Sequence, residues 1–177
     1  MALENQLKPT DKELVESACQ GDTESFRILY ERYWRLAISI AASRLRDRHL
    51  AEDVAQESFA VACQKLSTLK NGMRFPQWLG TIVRRTASAA VASNHSSLDS
   101  IADPVTLVDH QSDYEDLRAA IDQLPDSQRE AIFLRYFGDL SYQQIADATK
   151  TSTASVHGLL QRARLSLSKE LDRLSNR

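Results

Sequence analysis

The stretch LSYQQIADATKTSTASVHGLLQRAR, residues 140–164, reads as two helices joined by a tight turn. Ser141 followed three residues later by Gln144 is a capping box, in which each residue's side chain can satisfy the other's free backbone N–H. Thr151-Ser152-Thr153 supplies a turn and a second N-cap. Ile145, Ala146, Val156 and Leu160 are small or apolar at the places where two helices would cross. This is the helix-turn-helix layout, whose second helix enters a DNA major groove N-terminus first. Ser152, Thr153, Ser155 and His157 are the polar residues nearest that end. Gln161, Arg162 and Arg164 lie one to three turns along it, and Ser141, Tyr142 and Gln143 open the supporting helix. The same pattern would also suit a plain helical hairpin with a solvated face.

Working outward, helices continue on both sides. The last helix extends to about Leu174, with Val156, Leu160, Ala163, Leu167, Leu171 and Leu174 on one face. Upstream, residues 113–123 predict a helix, and Leu124-Pro125-Asp126 starts another that ends at Gly138. Residues 94–112, NHSSLDSIADPVTLVDHQS, are polar, contain Pro104 and show no sustained period, which predicts a flexible linker. Before it, Thr10 with Glu13 opens a short helix, and Gly21-Asp22-Thr23 ends it. Residues 24–45 place Phe26, Leu29, Tyr30, Tyr33, Leu36, Ala37 and Ile40 on one buried face. A helix over residues 49–66 has Leu50, Val54, Phe59, Ala62 and Cys63 as its apolar positions, and one over 75–93 takes Pro76 in its first turn. Five glycines and four prolines in 177 residues leave room for such helices and argue against a hairpin-rich fold. The expected architecture is all-α: two small helical domains, residues 1–93 and 113–177, joined by the linker.

Composition excludes several classes of function. The chain is 42% hydrophobic and 26% charged, too apolar for disorder. Cys19 and Cys63 form no C-x-x-C pair, and His49, His95, His110 and His157 have no metal-ligand spacing, so neither a cofactor nor a metal is expected. The N-terminus lacks a secretory apolar stretch, and no run approaches membrane-spanning length, so a cytoplasmic protein without membrane insertion is expected. No catalytic carboxylate pair, nucleophile motif or phosphate loop appears, which argues against an enzyme. The net charge of −2 by itself argues against nucleic-acid binding, but its distribution does not. Residues 71–94 carry three arginines and no acid, residues 95–140 carry ten acids against three bases, and residues 141–177 return to a net +3. The two basic segments are the candidates for DNA contact.

Two further patches have chemistry of their own. Phe75 and Trp78 at a helix entrance, with Arg74, Arg84 and Arg85 nearby, combine aromatic faces and cations in the manner of single-strand binders. Their spacing fits ordinary core equally well, and Trp78 is expected to be more buried than stacked. AEDVAQESF, residues 51–59, gathers Glu52, Asp53, Gln56 and Glu57 on a helix surface, with Phe59 beside them. A basic groove on a partner would complement that surface.

Taken together, these pieces resemble the extracytoplasmic-function group of bacterial sigma factors over nearly the whole chain. The carriers are GD-x-x-x-F at 21–26, AEDV-x-QE-x-F at 51–59, F-x-x-WL at 75–79, LP-x-x-x-RE at 124–130, LS-x-x-x-IA at 140–146 and V-x-x-x-L-x-RAR at 156–164. The resemblance implies a non-enzymatic initiation factor that binds core RNA polymerase and directs it to promoter DNA. It implies that the helix over 49–66 docks on the polymerase clamp through Glu52, Asp53, Gln56, Glu57 and Phe59. Arg74, Phe75, Trp78, Arg84 and Arg85 would serve the −10 element, and the helix-turn-helix the −35 element. An anti-sigma factor is a further implied partner, with the apolar surfaces between the domains as its target. The sequence departs from the family in two places. Arg85 stands at a usual Asn position and is followed by TASAA rather than a charged run, which implies a weaker −10 contact. Val156-His157-Gly158-Leu159 replaces a more typical Val-Lys-Ser-Arg, which removes two cations and inserts a helix-weakening glycine. Two alternatives remain open at this point: a helix-turn-helix regulator that does not act as sigma, and an interaction protein on a sigma-like scaffold with reduced promoter melting.

Overall fold

The computed structural model describes residues 8–94 and 111–175. Most of the expected linker, residues 95–110, lies outside the described residues. Among the described residues every regular element is helical.

The N-terminal domain is α1 (Asp11–Cys19), α2 (Thr23–Ala42), α3 (Arg48–Lys65) and α4 (Phe75–Asn94), with single 3-10 turns at Leu66–Thr68 and Gly72–Arg74. Each start has a local cause. Thr10 and Glu13 form the expected capping box, Asp22 accepts from the Glu24 N–H, and Asp47 accepts from the Leu50 N–H at 3.0 Å. Helices α2, α3 and α4 pack around Leu29, Leu36, Ile40, Val54, Phe59, Phe75, Leu79 and Val83. Burying each such large apolar side chain contributes about 1.5–3 kcal/mol. Helix α1 is tied to α2 by Asp11, which bonds to both Arg32 and the Tyr33 hydroxyl. Burial, aided by the Asp11 carboxylate, holds the Tyr33 phenol protonated well above its usual range. The buried stripe of α3 is Ala51, Val54, Ala55, Ser58, Phe59 and Ala62. Cys63, expected on that stripe, is exposed, because it falls one step beyond the Val54–Ala55–Ser58–Ala62 ridge that meets α2 and α4.

The C-terminal domain is α5 (Gln111–Asp122), α6 (Asp126–Ile132), α7 (Tyr142–Thr149) and α8 (Thr153–Ser175). Pro125 precedes α6 and the Ser141–Gln144 capping box opens α7, both as expected. One feature departs from the pattern. Residues Phe133–Phe137, expected to continue α6, form a π-helical turn, closed by the Gly138 N–H donating to the Phe133 carbonyl at 2.9 Å. Helix α8 packs along α5, α6 and α7 over Leu124, Ile132, Leu134, Ile145, Val156, Leu160 and Ala163.

The two domains lie against each other. Helix α4 packs on α7 and α2 packs on the π-helical turn, so one apolar core runs through both domains. The apolar surfaces between them, expected as an exposed target, are turned inward in this arrangement.

Candidate nucleic-acid interface

Three surfaces gather the residues singled out from the sequence. The first is the outer face of α3. With its small-residue ridge committed to α2 and α4, the helix presents Asp53, Gln56 and Glu57 to solvent. Glu52, half-buried, is occupied by Arg48 at 2.9 Å. Phe59 is buried against the rings of Tyr30 and Trp34 and supports the face from beneath. No ion pair or side-chain hydrogen bond involves Asp53, Gln56 or Glu57 among the described residues, so the face is an open acidic surface.

The second is a groove of about 910 Å³ between α3 and α4. Arg74, Trp78 and Arg85 line it, as the sequence suggested, with Trp78 half-buried and one edge in the groove. Lys65 and Lys150 line it too, and Glu57 is its one acid. Neither lysine was legible as a groove residue. Lys65 ends α3, and Lys150 is the left-handed C-cap of α7 (φ 58°), carried there from the other domain. Two expected members do not join the groove. Phe75 is fully buried, packed on the Tyr33 ring, because its place at the first turn of α4 points it into the bundle. It is a core residue and not a stacking platform. Arg84 faces the other way, toward the C-terminal domain, and forks onto Glu130, with Nε 3.1 Å from both carboxylate oxygens.

The third surface is the helix-turn-helix formed by α7 and α8. Ser152 caps α8, accepting from the Ser155 N–H at 3.1 Å, with the two hydroxyls 2.9 Å apart. Thr153, Ser155, His157, Gln161 and Arg162 are exposed along the outer side of α8. Ser141 caps α7, Gln143 donates to Asp147 at 2.9 Å, and the Tyr142 ring meets His157 edge-on. Arg164 donates from Nε to the Tyr136 hydroxyl at 2.8 Å and lies over that ring. The Tyr136 hydrogen bond raises the guanidinium further above its ordinary range. Arg135 lies over the Tyr142 ring, 5.8 Å from its centroid. Arg135 and Tyr136 were missed because the sequence suggests an ordinary helix there, and the π-helical turn rotates them toward α7 and α8. The outer side of α8 therefore combines short hydroxyl and imidazole groups near its N-terminus with guanidiniums farther along, a composition suited to base edges and phosphates respectively.

Two family models match the chain: Sigma-70 region 2 over residues 29–96 and Sigma-70 region 4 over residues 114–167. The chain is 29% identical to the ECF RNA polymerase sigma-E factor of Escherichia coli (strain K12), over 95% of this chain and 97% of the relative. It is 27% identical to the RNA polymerase sigma-H factor of Pseudomonas aeruginosa, over 93% and 95%. The chain belongs to the sigma-70 family, in its extracytoplasmic-function group.

Two solved structures share the fold of this sigma factor. One is CnrH in complex with the cytosolic domain of CnrY, with a TM-score of 0.61 and 22% identity, covering 92% of this chain and 97% of that one. The other is the sigma factor RpoE in complex with the anti-sigma factor NepR from Bartonella quintana, with a TM-score of 0.59 and 23% identity, covering 84% and 98%. As a sigma factor the chain binds core RNA polymerase and directs it to promoters. Sigma factors are non-catalytic initiation factors. No helix among the described residues is long and apolar enough to cross a membrane, and no cluster of His, Cys, Asp and Glu among them could hold a metal ion.

Proposed function

We propose that this sigma factor divides its work among the three surfaces. Asp53, Gln56 and Glu57 of α3 dock on a basic surface of core polymerase, with Glu52 and Phe59 holding the face in shape. Arg74, Trp78 and Arg85, joined by Lys65, take the −10 element in the α3–α4 groove, where cations track the strand and the indole offers a stacking face. Arg84 joins them once it is free of Glu130, and Phe75 acts only by supporting the groove from below. Ser152, Thr153, Ser155, His157 and Gln161 of α8 read the −35 element. Arg162 and Arg164 hold its phosphates, and Ser141, Tyr142 and Gln143 brace the duplex from α7. Residues 1–93 and 113–177 are the two working domains, and residues 94–112 join them. The factor acts in the cytoplasm, and an anti-sigma factor is its natural regulator.

One observation carries this division. The open acidic face of α3 borders a basic, tryptophan-lined groove, so a polymerase contact and a single-strand contact can form side by side. The second reading, a sigma-like protein with reduced melting, gains support from Phe75 and Arg84, which are withheld from the groove. The test is transcription by purified core enzyme on promoter fragments selected by the factor, with permanganate footprinting of the −10 region. Transcript with an open −10 region supports the division. Core binding and −35 protection without an open −10 region would establish the second reading.

A further inference from the structure

The helix-turn-helix holds three glutamines, and two are already engaged. Gln143 donates to Asp147 at 2.9 Å, and the Gln144 oxygen accepts from the Ser141 N–H at 2.8 Å, so both serve α7 itself. Gln161 is exposed on α8 and has no hydrogen-bond partner among the described residues. Val156, Leu160 and Ala163 turn the opposite side of α8 into the core, which leaves the Gln161 amide facing away from the protein. The hydroxyls near the start of the helix are partly spent, since those of Ser152 and Ser155 bond to each other. Among the described residues, Gln161 is therefore the long neutral side chain of this face that keeps both its donor and its acceptor free.

Gly158, one turn before it, supplies an independent observation. A glycine inside a helix weakens it, and close packing against another element is the usual reason for one. Gly138 has that reason, since a Cβ there would lie 2.5 Å from the Ser39 Oγ. Gly158 does not. A Cβ on it would meet only Nη1 of Arg162, on the same helix, at 3.5 Å, which is an ordinary contact. No other element comes within 4 Å of that position. What does call for a glycine on an outward face is an external surface that comes close to the helix backbone.

A carboxamide carries a donor and an acceptor side by side. In the major groove adenine offers the complement, with N7 accepting and N6–H donating, whereas guanine offers two acceptors, N7 and O6. Gln161 lies eight residues after Thr153, ~12 Å along the helix at 1.5 Å per residue. A side chain that far along reaches base edges only where the helix lies close to them, and Gly158 permits that approach. We propose that Gln161 determines −35 specificity by reading an adenine, its amide N–H donating to N7 and its amide oxygen accepting from N6–H, and that Gly158 is the point of closest approach. The proposal rests on α8 being the −35 reader.

The test uses holoenzyme assembled from core and the full-length factor, selecting among promoter fragments with a fixed −10 element and a randomised −35 region. The wild type should prefer adenine about tenfold at one position, and Gln161→Ala should lose that preference. Gln161→Arg should exchange it for guanine at the same position alone. Replacing that adenine by 7-deazaadenine, which lacks the N7 acceptor, should weaken binding of the wild type several-fold and leave Gln161→Ala unchanged. Gly158→Leu should lower affinity for every fragment. Because leucine favours a helix more than glycine does, that loss is not a folding defect, and far-UV circular dichroism verifies that each variant is folded. The assignment is wrong if Gln161→Ala keeps the wild-type preference at every position, or if the position that responds is not an adenine. Close approach at Gly158 is wrong if Gly158→Leu binds as the wild type does. If Ser155→Ala or His157→Ala shifts the preference while the Gln161 variants do not, α8 remains the reader and the Gln161 assignment alone falls. If no α8 variant shifts it, the −35 reading falls as well.

Discussion

Two acidic helices in this molecule have similar chemistry and opposite fates. On α3, Asp53 and Glu57 face solvent and make no ion pair among the described residues. On α6, Asp126 and Glu130 are met by arginines from the other domain. Local sequence does not separate them, since each is a carboxylate pair four residues apart on an amphipathic helix. What separates them is where the opposite face goes. Helix α3 spends its small-residue ridge on its own bundle, which turns the acids outward. Helix α6 lies at the seam between domains, which turns its acids toward Arg44 and Arg84. An acidic helix face is therefore a docking surface only if the fold has not already supplied its partner.

The comparison breaks most sharply under charge reversal. Asp53→Lys with Glu57→Lys should weaken binding to core polymerase by more than tenfold, as expected for close complementary charge at an interface. The thermal midpoint should stay within a degree or two, since no internal partner is lost. Glu130→Ala should do the opposite to stability, lowering it by about 3 kcal/mol, because it leaves Arg84 and Arg44 partly buried and uncompensated. Core-binding titrations and calorimetric melts of both variants decide the matter. Equal melting temperatures in the two variants would erase the distinction.

A smaller effect separates positioning from reading within α8. Arg164→Ala should lower duplex affinity about equally for specific and scrambled sequences, and flatten the salt dependence by roughly one phosphate contact. Ser155→Ala or His157→Ala should instead shift the preferred −35 sequence, each by less than the ~1–3 kcal/mol of a good bidentate base contact. Affinity measured against salt for each variant checks this. A wild-type slope in the Arg164 variant would assign that residue to the Tyr136 contact and the fold alone.

The smallest effect concerns the helix caps. The Ser25 hydroxyl and the first N–H groups of α2 hold the Asp22 carboxyl below its usual range, and the Thr10 groups do the same for Glu13. A carboxyl depressed in the folded state contributes stability that is present above its unfolded pKa and lost as pH falls through its folded one. The melting temperature should therefore decline in acid. Asp22→Asn, which keeps a capping oxygen without the charge, should make that decline slightly shallower. Melts of the two proteins across the acidic range measure it.

Much of this was written in local pattern. The capping boxes at Thr10 and Ser141 and the Leu29–Leu36–Ile40 face were readable because caps and 3.6-residue periodicity act within a few residues. So were the break at Gly21 and the two-helix layout of residues 140–164. The open acidic face of α3 and the polar edge of α8 were legible for the same reason, since each lies on one helix. The π-helical turn was not, because FLRYF fits an ordinary helix, and its hydrogen-bond shift depends on how α2 and α7 pack around it. That shift is what brings Tyr136 to Arg164. Nor could the sequence say that Phe75 is core while Trp78 edges a groove, since both lie on the same helix and only the position of α2 decides between them. The charge tally revealed an acidic segment between two basic ones. That four of its carboxylates meet four arginines as much as 104 positions away, Arg35 with Asp139 being the farthest pair, was decided by tertiary structure alone. Periodicity and capping are short-range, but an ion pair across domains depends on where two separately patterned surfaces come to rest.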